Sequence, residues 1–192
     1  MVTEFVGTAI GDTIGLVIAN VDEQIKKSMS VETKYRSIGI VGARTGAGPQ
    51  IFAADEAVKA TNAEIVSVEL PRDTKGGGGH GSLIIFGADD VSDVRRAVET
   101  CLEVLPKYFG DVYANEAGHL EFQYSARASQ ALIKALGAKP GAAFGITVAS
   151  PAAIGVVLAD TAVKAASVEV MGYSSPSKGT AYSNEVILCV SG

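Results

Sequence analysis

Few side chains in this sequence could do chemistry, and they are scattered. His80 and His119 are the only histidines. Neither has a second ligand at metal-binding spacing, so both read as polar loop residues and no metal is expected. No Ser/His/Asp set stands out from spacing alone. The run Gly42-Ala43-Arg44-Thr45-Gly46-Ala47-Gly48 lies between a strand pattern and a helix pattern, where a phosphate-binding loop would be placed. It lacks the detail: Ile51 stands at the third glycine position of G-x-G-x-x-G, and no Gly-Lys-Ser/Thr follows. A nucleotide-binding enzyme is therefore kept only as an alternative, beside a small-molecule-binding regulatory module that never assembles, and no cofactor is expected. The segment Tyr113-Ala114-Asn115-Glu116-Ala117-Gly118-His119 gathers hydrogen-bonding groups, and it reads equally as a contact for a small polyol and as a polar linker.

Asp55 with Lys59 and Asp160 with Lys164 are i,i+4 pairs with the acid on the N-terminal side. On a surface helix such a pair stabilises by about 0.2–0.5 kcal/mol. That alone gives no reason for the pair to occur twice. It recurs because the string Ala54-Asp55-Glu56-Ala57-Val58-Lys59-Ala60 returns 105 residues later as Ala159-Asp160-Thr161-Ala162-Val163-Lys164-Ala165. Upstream, Ser37-Ile38-Gly39-Ile40-Val41 matches Ala143-Phe144-Gly145-Ile146-Thr147, and downstream Ser82 to Gly87 resembles Val186 to Gly192. Each unit reads strand, loop, helix, strand, long loop, strand. A period this long describes two related α/β domains, 1–110 and 111–192, and not a solenoid of short repeats.

The elements that must hold these residues follow from pattern. Residues 1–8 are weakly patterned and read as a flexible end or a sheet edge. Gly15 to Asn20 is a β-branched apolar run, hence a buried strand. Asp22 caps a short helix over 23–28, whose counterpart is 126–136, closed by Gly137. Strands are expected at 38–42 and 65–70, with the helix carrying the repeated string between them. Its small face of Ala54, Ala57, Val58 and Ala60 predicts close packing. Ser82 to Gly87 is a further strand, and Val94, Val98, Cys101, Leu102 and Leu105 line one face of an amphipathic helix over 92–105. An equivalent helix is expected after Gly192.

Two long polar loops occupy equivalent places: Pro71 to Gly81, which contains Arg72, Asp73, Lys75, the glycines Gly76, Gly77, Gly78 and Gly79, and His80; and Ser174 to Ser183, which contains Ser175, Pro176, Ser177, Lys178 and Gly179. Loops of this length are the expected functional surface.

Composition narrows the partners. A net charge of −5 leaves no basic stripe for nucleic acid. No run approaches the ~20 apolar residues of a membrane span, and no signal peptide is evident, so the cytosol is the expected compartment. Cys101 and Cys189 are isolated and read as reduced thiols. Hydrophobic residues make up 47% of the chain and charged ones only 19%, a composition suited to a protein that covers much of its surface in assembly.

The doubled string, with the strand Ile38 to Val41 before it and Glu64 to Leu70 after it, resembles the shell proteins of bacterial microcompartments. Tyr35-Arg36-Ser37-Ile38-Gly39, Pro71-Arg72-Asp73-Thr74-Lys75 and Asp111 to His119 are similar to the circularly permuted tandem-domain class. Within it the propanediol-utilization type is most similar, and the ethanol- and ethanolamine-utilization shell proteins are near relatives. The resemblance implies two domains, each a small, mainly antiparallel sheet with packed helices. It implies a homotrimer imitating a hexagon, which meets other shell proteins edge to edge in a layer that encloses enzymes. Lys59 and Lys164 match the family's edge lysine, with Asp55 and Asp160 holding them. The two long loops match the surround of a central pore whose glycines permit open and closed arrangements. Arg44, Thr45, Gly46, Tyr113, Asn115 and Glu116 would contribute to smaller channels. A small diol, alcohol or aldehyde is the implied passenger. Some members of the class carry an iron–sulfur cluster at the pore, but neither loop here contains a cysteine, and no cluster is expected.

Overall fold

The computed structural model describes residues 2–71, 81–179 and 185–192. The expected pore-loop residues Arg72, Asp73, Lys75, Gly76, Gly77, Gly78, Gly79 and His80 lie outside them, as does the far end of the second loop, 180–183. Two five-stranded, all-antiparallel sheets are formed. The first has β1 (Val2–Ala9), β2 (Thr13–Ala19), β3 (Ser37–Ala43), β4 (Glu64–Glu69) and β5 (Ser82–Ala88), in the order β1-β2-β3-β5-β4. The second repeats this as β6 (Val112–Asn115), β7 (Gly118–Ser125), β8 (Phe144–Ser150), β9 (Glu169–Ser174) and β10 (Val186–Ser191), in the order β6-β7-β8-β10-β9. The weakly patterned N-terminal residues thus form an edge strand.

The hairpin β6–β7 is a correction. Residues 113–119 fit a linker on sequence because Asn115-Glu116-Ala117-Gly118 is a dense cluster of turn formers. In the structure that cluster is only the turn, closed by Ala117 N–H donating to Asn115 Oδ1 at 2.8 Å. Each unit accordingly begins with two strands and a helix.

The short helices are α1 (Glu23–Ser28) and α4 (Gln130–Leu136). Asp22 caps α1 by accepting from Gln24 N and Ile25 N, as the sequence suggests. α4 starts four residues later than expected and ends at Gly137 in the left-handed region. α2 (Gly48–Lys59) and α5 (Ala152–Ala165) carry the repeated string. α3 (Val91–Phe109) lies against α2 and across β1, β2 and β3. A side chain at Gly15 would meet Val98 at 2.6 Å and Leu102 at 2.8 Å, so a bare backbone there lets α3 sit directly on the sheet.

α2 is buried on almost every side, not along one narrow face. Its own sheet and α3 cover one flank. The face of the second sheet bearing Phe144, Ile146 and Val148, together with α4, covers the other. Phe52 joins the two units: its ring lies 5.7 Å from Tyr108 and 6.3 Å from Phe144. α5 packs on the opposite face of the second sheet, through Gly155 against Ala149 and Val186. Its Val156 and Val157 are exposed. Both cysteines are buried free thiols, raised to about 12 for Cys101 and about 11 for Cys189 by burial. No helix among the described residues is long and apolar enough to cross a membrane.

Candidate functional site

The two Asp/Lys pairs form as expected and then diverge. Asp160 binds Lys164 at 2.6 Å with 60% of its side chain exposed. Asp55 binds Lys59 at 2.9 Å with no exposure. One oxygen of Asp55 accepts from Leu132 N at 3.2 Å, and both lie 3.0 Å from Ser129 N. Ser129 is the N-cap of α4 but makes no side-chain cap, so a carboxylate on α2 satisfies the orphan donors of a helix in the other unit. Lys59 also reaches Glu56 Oε1 at 3.0 Å and Ser125 Oγ of β7 at 3.1 Å. Of the four expected edge residues, Asp55 and Lys59 tie the units together, while Asp160 and Lys164 stand on the surface. A second ion pair obeys the same repeat: Lys34–Glu64 at 3.1 Å and Lys139–Glu169 at 2.5 Å, each separated by 30 residues.

A cavity of about 260 Å³ lies between the units, at the N-terminus of α2. Thr45 and Gly46 line it from the first unit. Tyr113 and Asn115 line a neighbouring, more open hollow, and His119 borders both. Arg44 and Glu116 are exposed and line neither. The structure therefore divides the six expected small-channel residues between two hollows and the surface. In the second long loop, Ser174 ends β9, and Ser175 and Lys178 exchange backbone bonds at 2.7 and 2.8 Å. This folds Ser175, Pro176, Ser177 and Lys178 into a tight turn, followed by Gly179 at φ 94°.

The sequence reading missed Glu121, Gln123 and Glu185. Along β7, His119, Glu121, Gln123 and Ser125 alternate with Leu120, Phe122 and Tyr124. Alternation ordinarily turns polar residues to water and apolar ones inward. Here the order is reversed: Gln123 is 1% exposed and Phe122 is 51% exposed. The polar row faces α2, and the signal was present as a period-2 pattern whose direction only the tertiary arrangement sets. Gly48 permits the approach, since a Cβ there would meet Gln123 Oε1 at 2.7 Å and Glu121 Oε2 at 3.3 Å.

Within the cavity, His119 Nδ1 is 2.9 Å from Ser150 Oγ. Its Nε2 lies 3.8 Å from Glu121 Oε1 and 3.6 Å from Glu185 Oε2, beyond hydrogen-bonding reach of both. Both amide atoms of Gln123 are buried without a partner among the described residues. Burial, and secondarily the charge of Glu185, pushes the Glu121 carboxyl up to about 7. The remaining walls are largely apolar, including Leu70, Phe109, Val112 and Ile187.

The BMC domain family matches residues 37–117 and 143–192. The chain belongs to the bacterial microcompartment shell proteins. It is 68% identical over 190 residues to the microcompartment shell protein PduB of Citrobacter freundii, covering 99% of this chain and 70% of that protein. EtuB of Clostridium kluyveri superposes with a TM-score of 0.95 at 56% identity, over 100% of this chain and 84% of EtuB. A crystal structure of a trimeric PduB superposes with a TM-score of 0.93 at 53% identity, over 98% and 84% of the two chains. The shell protein is thus a structural protein of two tandem BMC domains and not an enzyme, and its place is the microcompartment shell. The nucleotide-binding alternative finds no support in these relatives.

Proposed function

We propose that three copies of this shell protein form a homotrimer in which six domains, 1–110 and 111–192 of each chain, surround one axis. These tiles join other shell proteins edge to edge around encapsulated enzymes. Their pores pass a small uncharged diol, alcohol or aldehyde while slowing the escape of an aldehyde intermediate. Selectivity in such a pore comes from its width and from the hydrogen-bonding groups along it. The observation that carries the reading is the seating of α2 on the second sheet. The equivalent helix α5 presents Val156 and Val157 to solvent, so each chain has used one such contact internally and has an apolar helix over for another. The two long loops would frame the central pore, and the hollows bordered by Thr45, Gly46, Tyr113 and Asn115 would form the smaller channels. Lys164 at the surface, with Lys59 at the junction of the units, would make tile-to-tile contacts.

Light scattering tests the assembly: a mass of three chains is expected, and a monomer or dimer removes the central pore. The edge assignment is tested by Lys59→Ala with Lys164→Ala, which should leave trimers intact and abolish sheets under the electron microscope. Unchanged sheets would refute it.

A further inference from the structure

The first sheet carries a seat like the one that α2 fills on the second. Across the second sheet, Gln123, Ile146 and Cys189 stand in register on β7, β8 and β10, on the face that α2 covers. The repeat sets Leu16, Ile40 and Ile85 in the same places on β2, β3 and β5, and Phe5 of β1 extends the row. At one end Ile85 is buried with Val21, Val31 and Tyr35. At the other, Phe5 is 61% and neighbouring Ile14 is 43% exposed. This end is apolar where the second sheet offers Glu121 and Gln123. The helix that matches it is α5, whose exposed Val156 and Val157 stand where α2 has the buried Ile51 and Phe52. α5 fits the second sheet less well than α2 does: it has Ala153 in the place of Gly48, where a Cβ would meet Gln123 Oε1 at 2.7 Å.

We propose that α5 of one copy lies across Phe5, Ile14 and Leu16 of the next, with Lys164 held between its own Asp160 and Asp22 of the partner subunit. The charges follow from the junction inside the chain. There Asp55 caps Ser129 at the start of α4, with Lys59 beside it. Asp22 stands in the place of Ser129 at the start of α1, and it already accepts from Gln24 N and Ile25 N of its own helix. Asp160 therefore has no orphan donors to satisfy at that helix. Two carboxylates meet instead, and a lysine between them offsets their repulsion. Lys164 and Asp22 are both exposed within the single chain, so the pair is available. Because α5 and its seat lie on different units, the contact runs head to tail and closes into a ring. This rests on the homotrimer reading above and adds which faces meet.

Light scattering on variants of the intact protein is the test, with circular dichroism to show that each is folded. Leu16→Glu and Val157→Glu should each reduce the mass from three chains to one. Leu16→Glu combined with Val157→Lys should restore three. Phe122→Glu, on the other face of the second sheet, should leave three. Proximity is read separately: Asp22→Cys with Lys164→Cys, treated with a short bismaleimide, should give bands of two and three chains on a denaturing gel, and either substitution alone none. The native thiols are buried and stay silent. A three-chain mass in both glutamate variants, or a wild-type trimer whose paired cysteines give no linked bands, overturns this contact and leaves the homotrimer standing. A wild-type mass of one chain overturns both.

Discussion

α2 and α5 share one string, one ion-pair geometry and one place in their units, yet they live in different surroundings. Around α2, Asp55 is fully buried and caps α4, and Phe52 bridges two aromatic rings of different units. On α5, Asp160 pairs among the described residues with Lys164 alone, and Val157, at the Phe52 position, is 62% exposed. Local sequence therefore sets the helix and its i,i+4 pair. What the pair does depends on which neighbour arrives from outside the unit.

The largest difference should appear on truncating the bridging ring. Phe52→Ala is expected to cost about 3–5 kcal/mol through lost burial and a cavity, read from chemical denaturation, and a cost below about 1 kcal/mol would show that the units do not depend on that contact. Next is the pair of aspartates. Asp55→Ala strands the Ser129 and Leu132 N–H groups, at about 1–3 kcal/mol for each buried donor left unpaired. Asp160→Ala should change stability by about 0–1 kcal/mol, as an exposed pair does. Equal costs would break the comparison and would mean that a neighbouring copy buries Asp160 in the assembly. The smallest effect is expected where the two units agree: Lys34→Ala and Lys139→Ala each remove a surface pair and should leave the melting temperature nearly unchanged.

The repeat made most of the fold legible. The strands β3, β5, β8 and β10 and the helices α1, α2, α3 and α5 lie where apolar runs, caps and helical spacing indicate. β7 shows why the rest was not. Its alternation is plain, but a two-sided strand does not say which side meets a partner. Helix α2 comes from a distant part of the chain and reverses the ordinary inside and outside. For the same reason Glu121 and Gln123 gave no hint of a site: on sequence they look like the solvent row of an edge hairpin. Glu185 adjoins a long loop whose path no local pattern specifies. The loop bearing Thr45 and Gly46 was legible because a glycine-marked loop before a helix is a local feature, whereas the shape of the hollow it borders is not.

The two thiols carry a practical consequence. Alkylating and disulfide-forming reagents act on accessible thiolates, and Cys101 and Cys189 are neither accessible nor ionised near neutral pH. The native chain therefore behaves toward such reagents as though it held no cysteine. A single cysteine introduced at Ser177 or Lys178 would be the sole reactive point of attachment for a dye or a spin label, with neither native cysteine removed first.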